Sequence, residues 1–274
     1  MSDIKLRKAI LPLSLKESEN KIIAMSKILS DFGTRTITLV HIKTGSNRKS
    51  QHIQEKLRSY AQRIKELNFD PEIKISHSNN ITQGIYNTSY EVGAEFICII
   101  WKAKGVIKKT LLGSKTIDTI RHINLPIFIF KQRNPLVKHC SLNSILYATD
   151  FKKTDSIVIP YLNNSEITAS NLYFLHVRNR APDPETEKLQ LDAVNANMNR
   201  LKEECKNFFQ NIKTIQVIGS PKKQIVRQAR KNNVDLILIG KSDTPNPMEQ
   251  IMGSTAEAIP FKSSCSVFII PSKT

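Results

Sequence analysis

The chain has 274 residues, 40% hydrophobic and 24% charged, which suits a pair of folded domains and excludes disorder as its main theme. No apolar run reaches the ~18 residues a membrane span needs, and the N-terminal stretch Met1 to Lys8 lacks the apolar centre of a signal peptide, so a cytoplasmic protein is expected. The formal net charge is +17, and residues 1–140 hold 24 of the basic side chains against 11 acidic ones; this favours anionic partners but is silent about fold.

Taken in chain order, short continuous apolar runs at 8–13, 35–42, 94–100 and 126–130 predict buried strands. A second set follows at 143–148, 171–177, 234–239 and 266–270. Between them, Ile53, Leu57, Tyr60, Ile64 and Leu67 recur at helical spacing, as do Leu191, Val194, Met198, Leu201 and Cys205. Gly33 stands where a helix C-cap is wanted. Strands that are continuous rather than alternating, separated by helices, imply parallel sheets covered on both faces.

The two sets are one pattern written twice. Ala9–Leu13 is answered by Ser144–Ala148 and Ile37–Ile42 by Leu172–Val177, both 135 residues on. Ala94–Ile100 is answered by Val234–Gly240 and Gly113-Ser114 by Gly253-Ser254, now 140 residues on, so an insertion is expected near the acidic stretch 183–188. The expected domains are 1–135, basic, and 141–274, joined by a polar segment around Pro135. Each is a doubly wound, Rossmann-like, five-stranded parallel α/β sheet with right-handed crossovers.

In such a sheet ligands bind beyond the carboxyl ends of the strands, where the strand order reverses. In the second copy the first strand runs into Tyr147-Ala148-Thr149-Asp150-Phe151. Asp150 suits acceptance from a ribose hydroxyl, an adenine amine or a hydrated metal; it equally suits an N-cap for a helix from Lys152. After the fourth strand the chain reads Gly240-Lys241-Ser242-Asp243, and later Gly253-Ser254-Thr255-Ala256-Glu257. Ser254 with Glu257 forms a capping box, and the helix it starts offers free amides and a positive dipole end to phosphate, with the Ser254 and Thr255 hydroxyls beside them. The alternative is that Gly240 only ends a strand and Ser254 only caps a helix.

These residues resemble the universal stress protein family, and both copies are similar to it along most of their length. The nucleotide-binding members carry Gly-x2-Gly-x9-Gly-Ser/Thr, and Gly240, Gly253 and Ser254 hold the first, third and fourth positions, with residues 244 to 252 in the long gap. The resemblance implies that Asp150, with Thr149 beside it, is the acidic residue after the first strand, that Val177 meets adenine through its backbone, and that ATP, with Mg, lies with its phosphates near Gly253, Ser254 and Thr255. It implies a stress-linked regulatory module, an internal pseudo-dimer of the two copies and pairing of chains as homodimers. Asp243 departs from the pattern by replacing the second glycine, and its carboxylate opposes a triphosphate unless a divalent cation bridges them.

The first copy reads Ile100, Ala103, Gly113 and Ser114 at the motif positions, with Leu15 at the acidic one, and Lys102, Lys104, Lys108, Lys109 and Lys115 crowd its loop. A nucleic-acid or other anion binder through this basic copy is therefore the alternative reading, and a slow ATPase the next. Trp101, first after the strand, is a candidate plug for the space a nucleotide would fill. Gly113-Ser114-Lys115-Thr116 fails as a P-loop because Ser114 separates Gly from Lys. Cys98, Cys140, Cys205 and Cys265 lie far apart and form neither a disulfide framework nor a zinc site. No catalytic residue and no metal-ligand cluster is identified.

Overall fold

The computed structural model describes residues 4–44, 50–101, 123–132, 141–152, 154–164, 166–241 and 255–272. The chain divides into two compact units: Lys5–Ser141, and Leu142–Thr274 together with the first four residues.

In the N-terminal unit the elements are β1 (Lys8–Pro12), α1 (Glu19–Ser30), β2 (Thr36–Lys43), α2 (Ser50–Lys65), β3 (Asp70–His77), α3 (Ile81–Glu91), β4 (Phe96–Ile100) and β5 (Ile127–Phe130). All strand pairs are parallel, in the order β3-β2-β1-β4-β5. One side of the sheet packs Ile10, Val40, Ile42 and Ile97 against Ile85 of α3. Ile53, Leu57, Tyr60 and Ile64 form the buried face of α2. Gly33 has φ 76 and, with Thr34 N donating to Leu29 O at 3.1 Å, closes α1 in the left-handed manner expected of a helix C-terminus.

The C-terminal unit repeats the plan with β6 (Ser144–Thr149), α4 (Thr154–Leu162), β7 (Asn171–Arg178), α5 (Pro184–Cys205), β8 (Asn211–Ile218), α6 (Pro221–Lys231), β9 (Leu236–Lys241), α7 (Thr255–Lys262) and β10 (Ser266–Pro271). Its strands are also parallel, in the order β8-β7-β6-β9-β10. Helix α5 has 22 residues where α2 has 16. The extra length falls on the acidic stretch: Asp183 caps α5 by accepting from Thr186 N, and Glu187 in the first turn forks Arg178 at the end of β7, with Nη1 to Oε2 at 2.8 Å.

β3 and β8 carry no continuous apolar run. Both are edge strands with half-exposed, polar-interleaved faces, Asp-Pro-Glu-Ile-Lys-Ile-Ser-His and Asn-Ile-Lys-Thr-Ile-Gln-Val-Ile. No helix among the described residues is long and apolar enough to cross a membrane.

Phe32, which follows α1, and Phe128 of β5 are fully buried and meet edge to face, with ring centroids 5.3 Å apart. Phe32→Ala is expected to cost about 3–5 kcal/mol, read as a drop in the urea midpoint of the transition that reports the N-terminal unit.

Candidate functional site

The strand order of the C-terminal unit reverses between β6 and β9, the place in a doubly wound sheet where ligands bind beyond the carboxyl ends of the strands. β6 stops at Thr149, opposite His176, while β7 runs on through Val177 to Arg178 with β8 beside it. The backbone of Val177 therefore lies beyond the last residue that β6 can pair.

Beneath the loop after β6 sits a buried polar cluster. Asp155, in the first turn of α4, is 4% exposed. It accepts hydrogen bonds from the Tyr147 hydroxyl and from Thr149 Oγ1, the latter 2.8 Å from both carboxylate oxygens. Burial pushes the Asp155 carboxyl above the ordinary aspartate range, against the pull of the two hydroxyl donors. Burial, and then the neighbouring Asp155 charge, drive the Tyr147 phenol upward, and its hydroxyl donates to Asp155.

Thr149 Oγ1 also accepts from Phe151 N at 2.9 Å. Phe151 adopts φ 59, a left-handed backbone that costs a non-glycine residue and needs holding. Its ring stacks on His176, with centroids 4.3 Å apart, and His176 Nδ1 lies 3.0 Å from Thr149 O. A carbonyl oxygen only accepts, so Nδ1 carries a proton. His176 is thus a structural donor.

Asp150 rises between these fixed neighbours and is exposed. Its Oδ1 accepts from Lys152 N at 3.2 Å and from Thr154 Oγ1 at 3.4 Å, and Lys152 Nζ stands 3.5 Å from Oδ2. Because α4 starts at Thr154, Asp150 makes an Asx-type turn with the amide two residues on, and the expected N-cap for a helix from Lys152 is not formed. A carboxylate face is left to solvent.

Gly240 has a definite reason to be glycine. A Cβ there would lie 2.8 Å from Thr154 Cβ and 3.3 Å from Val158 Cγ2. The bare backbone lets the start of α4 close onto β9, which brings Asp150, Thr154 and Gly240 together at the carboxyl end of the sheet. Thr255 opens α7 and is half-buried. Asp243, Gly253 and Ser254 lie outside the described residues.

The N-terminal unit has the same scaffold with different chemistry. Ala9 pairs with Ile37 and Phe96, as Ile145 pairs with Leu172 and Leu236. The first strands therefore correspond at a spacing of 136, not 135, and the residue facing Asp150's role is Ser14, with Leu15 (φ 65) matching Phe151. The expected assignment of Leu15 to the acidic position is corrected by one residue. Ser14 donates its hydroxyl to Glu17 Oε1 at 2.9 Å, and His41 Nδ1 reaches Leu13 O at 2.9 Å just as His176 reaches Thr149. Leu11 and Glu19 stand where Tyr147 and Asp155 stand, and Glu19 instead takes Ser59 and Arg63.

Ile100 occupies the place of Gly240. A cavity at this end is lined by Ile100 with Lys16, Glu17, Ser18 and Lys21 of the α1 start. Trp101, expected as a plug, is not among these lining residues; its ring lies under Lys131 Nζ, 4.6 Å from the centroid. The lysines at 102, 104, 108, 109 and 115, with Gly113 and Ser114, fall outside the described residues.

Tyr147, Thr154 and Asp155 were not singled out by sequence pattern. The one available signal was an aspartate in the first turn of a helix that follows a buried strand.

Known proteins support the same reading of the fold. Residues 143–271 match the model of the Universal stress protein family. A universal stress protein of Methanocaldococcus jannaschii is 28% identical over 153 residues, 47% of this chain and 94% of that protein. A solved universal stress protein from Archaeoglobus fulgidus is similar over 98% of this chain and 97% of its own, with a TM-score of 0.72 at 21% identity. A functionally unknown protein of Pseudomonas aeruginosa gives a TM-score of 0.67 over 98% of this chain and 94% of its own, at 15% identity. At such identities the solved structures establish the fold alone.

Two outcomes follow from this geometry. Gly240→Ala is expected to cost about 1–3 kcal/mol through overpacking against Thr154, measured by urea unfolding of the C-terminal unit. Asp155 holds its proton to higher pH when folded than unfolded, so its ionisation removes stability as pH rises from the unfolded aspartate range through the folded value. Asp155→Asn lacks that loss. The difference in urea midpoint between variant and wild type is expected to move in the variant's favour as pH is raised from about 4 to 7.

Proposed function

We propose that the chain is a tandem universal stress protein: the C-terminal unit binds an adenine nucleotide such as ATP, and the N-terminal unit is a second domain of the family that has lost the nucleotide residues. The observation that carries the reading is the arrangement at the strand-order reversal. There an exposed carboxylate, Asp150, is held next to Thr154 and Gly240, facing a strand whose backbone outruns its neighbour. An exposed carboxylate bonds a ribose diol, and the free backbone edge beyond Thr149 offers a donor and an acceptor to a purine.

The phosphates would extend toward the start of α7, where Ser254 and Thr255 stand in the sequence and helix-end amides favour anions. A triphosphate there brings four negative charges near Asp243 and is best matched by a divalent cation. The role that fits this site is ligand sensing. The described residues place Asp155 and Tyr147 beneath the loop as holders of its shape, and the loop itself offers an acceptor and backbone groups for recognition.

The second unit supports the tandem reading through its identical strand order and through the histidine that braces each first loop. Its Ser14 and Ile100 supply neither the carboxylate nor the close helix approach.

Mg-ATP is expected to raise the melting temperature of the C-terminal transition. Binding to the folded state alone adds about 2.7 kcal/mol at a hundredfold excess over Kd. Asp150→Ala is expected to remove the shift while leaving the ligand-free melting temperature within a few degrees. An equal shift in variant and wild type, or none with ATP, ADP and AMP, would refute the nucleotide reading.

A further inference from the structure

The loop that presents Asp150 is held from below and not by Asp150 itself. The carboxylate's own partners, Lys152 and Thr154, are near the surface and loosely spaced at 3.2–3.5 Å. The short contacts belong to its neighbours. Thr149 Oγ1 carries a single proton, which goes to the buried Asp155 carboxylate, and this turns a lone pair toward Phe151 N. Phe151 is thereby kept in a left-handed backbone, stacked on His176, which returns a hydrogen bond to Thr149 O. The circuit closes on the two peptide units that flank Asp150.

We propose that Asp155 is a positioning residue for the ligand loop: by receiving the hydroxyls of Tyr147 and Thr149 it orients Thr149, and through Thr149 it sets where Asp150 meets the ligand. The proposal rests on the adenine-nucleotide reading above for its ligand, but the loop geometry stands without it. Stability does not account for a carboxylate at this place, since burying one is costly even when it is hydrogen-bonded. The N-terminal unit folds on the same plan with Leu11 and Glu19 there, and Glu19 faces Ser59 and Arg63 instead. The buried pair occurs in the unit that carries Asp150 and is missing from the unit that carries Ser14.

Two readouts separate positioning from general stability. The first needs no ligand. Amide hydrogen exchange of Phe151, whose N–H donates to Thr149 Oγ1, is expected to be slow in wild type and in Asp155→Asn, whose side-chain oxygen still accepts both hydroxyls. Asp155→Ala is expected to lose that protection, as is Thr149→Val, while Thr149→Ser keeps it.

The second is Mg-ATP affinity by calorimetry. Asp155→Ala and Thr149→Val are expected to weaken it about tenfold through lost preorganisation, with Asp155→Asn and Thr149→Ser recovering to within about threefold of wild type. If Asp155→Ala does not fold, the Thr149 pair carries the test alone. Wild-type Phe151 protection and affinity in both Asp155→Ala and Thr149→Val would overturn the proposal, as would Asn and Ser variants no better than Ala and Val. If wild type binds no adenine nucleotide, the functional reading fails, and Phe151 exchange still decides the positioning claim.

Discussion

A parallel strand cannot be joined to its neighbour by a tight turn, and the rest of this structure depends on that constraint. Each strand must be followed by a crossover that carries the chain back along a face of the sheet, and the crossover has one favoured hand. When β6 has been followed by β7 and β8 on one side, β9 and β10 can only be added on the other. The strand order therefore turns over between β6 and β9. The carboxyl ends of these two strands lie side by side at that point, which is why Asp150 and Gly240 come to one place although 90 residues separate them.

The two units show how little of this geometry is chemistry. Both have the same strand order, and in both a histidine on the second strand braces the carbonyl at the end of the first. Within that shared frame, four differences between the units change what this end of the sheet offers. Glycine at 240 lets Thr154 come within contact of β9, whereas isoleucine at 100 lines a cavity beside the start of α1. Aspartate at 150 presents a charge where Ser14 turns inward to Glu17. Tyrosine at 147 and aspartate at 155 make a buried pair where Leu11 and Glu19 do not. A fold of this kind hosts a site without requiring one.

Some of these features were legible in the residues and others were not. The inner strands announce themselves because burial on both faces demands unbroken apolar runs. The edge strands β3 and β8 do not, because one side of each meets water and the polar residues there interrupt the pattern. Continuous apolar runs also explain the one-residue error in aligning the first strands. Ala-Ile-Leu-Pro-Leu slides along Ser-Ile-Leu-Tyr-Ala with no loss of hydrophobic match, since no alternation pins the register. Only the pairing of Ala9 with Ile37, and of Ile145 with Leu172, shows that Ser14 and not Leu15 answers Asp150.

By itself the sequence determined the repeated strand pattern, the parallel α/β class, the strand ends at which a ligand is expected and the candidacy of Asp150, Gly240 and Val177. All of these follow from local periodicity and from the rule that strand ends face ligands. The tertiary structure alone decided what those residues do to one another. Hydrophobic pattern records whether a side chain is buried, but not which polar group it meets once there. The bond from Thr149 to Asp155 joins the end of β6 to the first turn of α4, and a spacing of six residues along the chain says nothing of that approach. Gly240 gains a packing reason from the nearness of Thr154, and a buried aspartate lies beneath the exposed one.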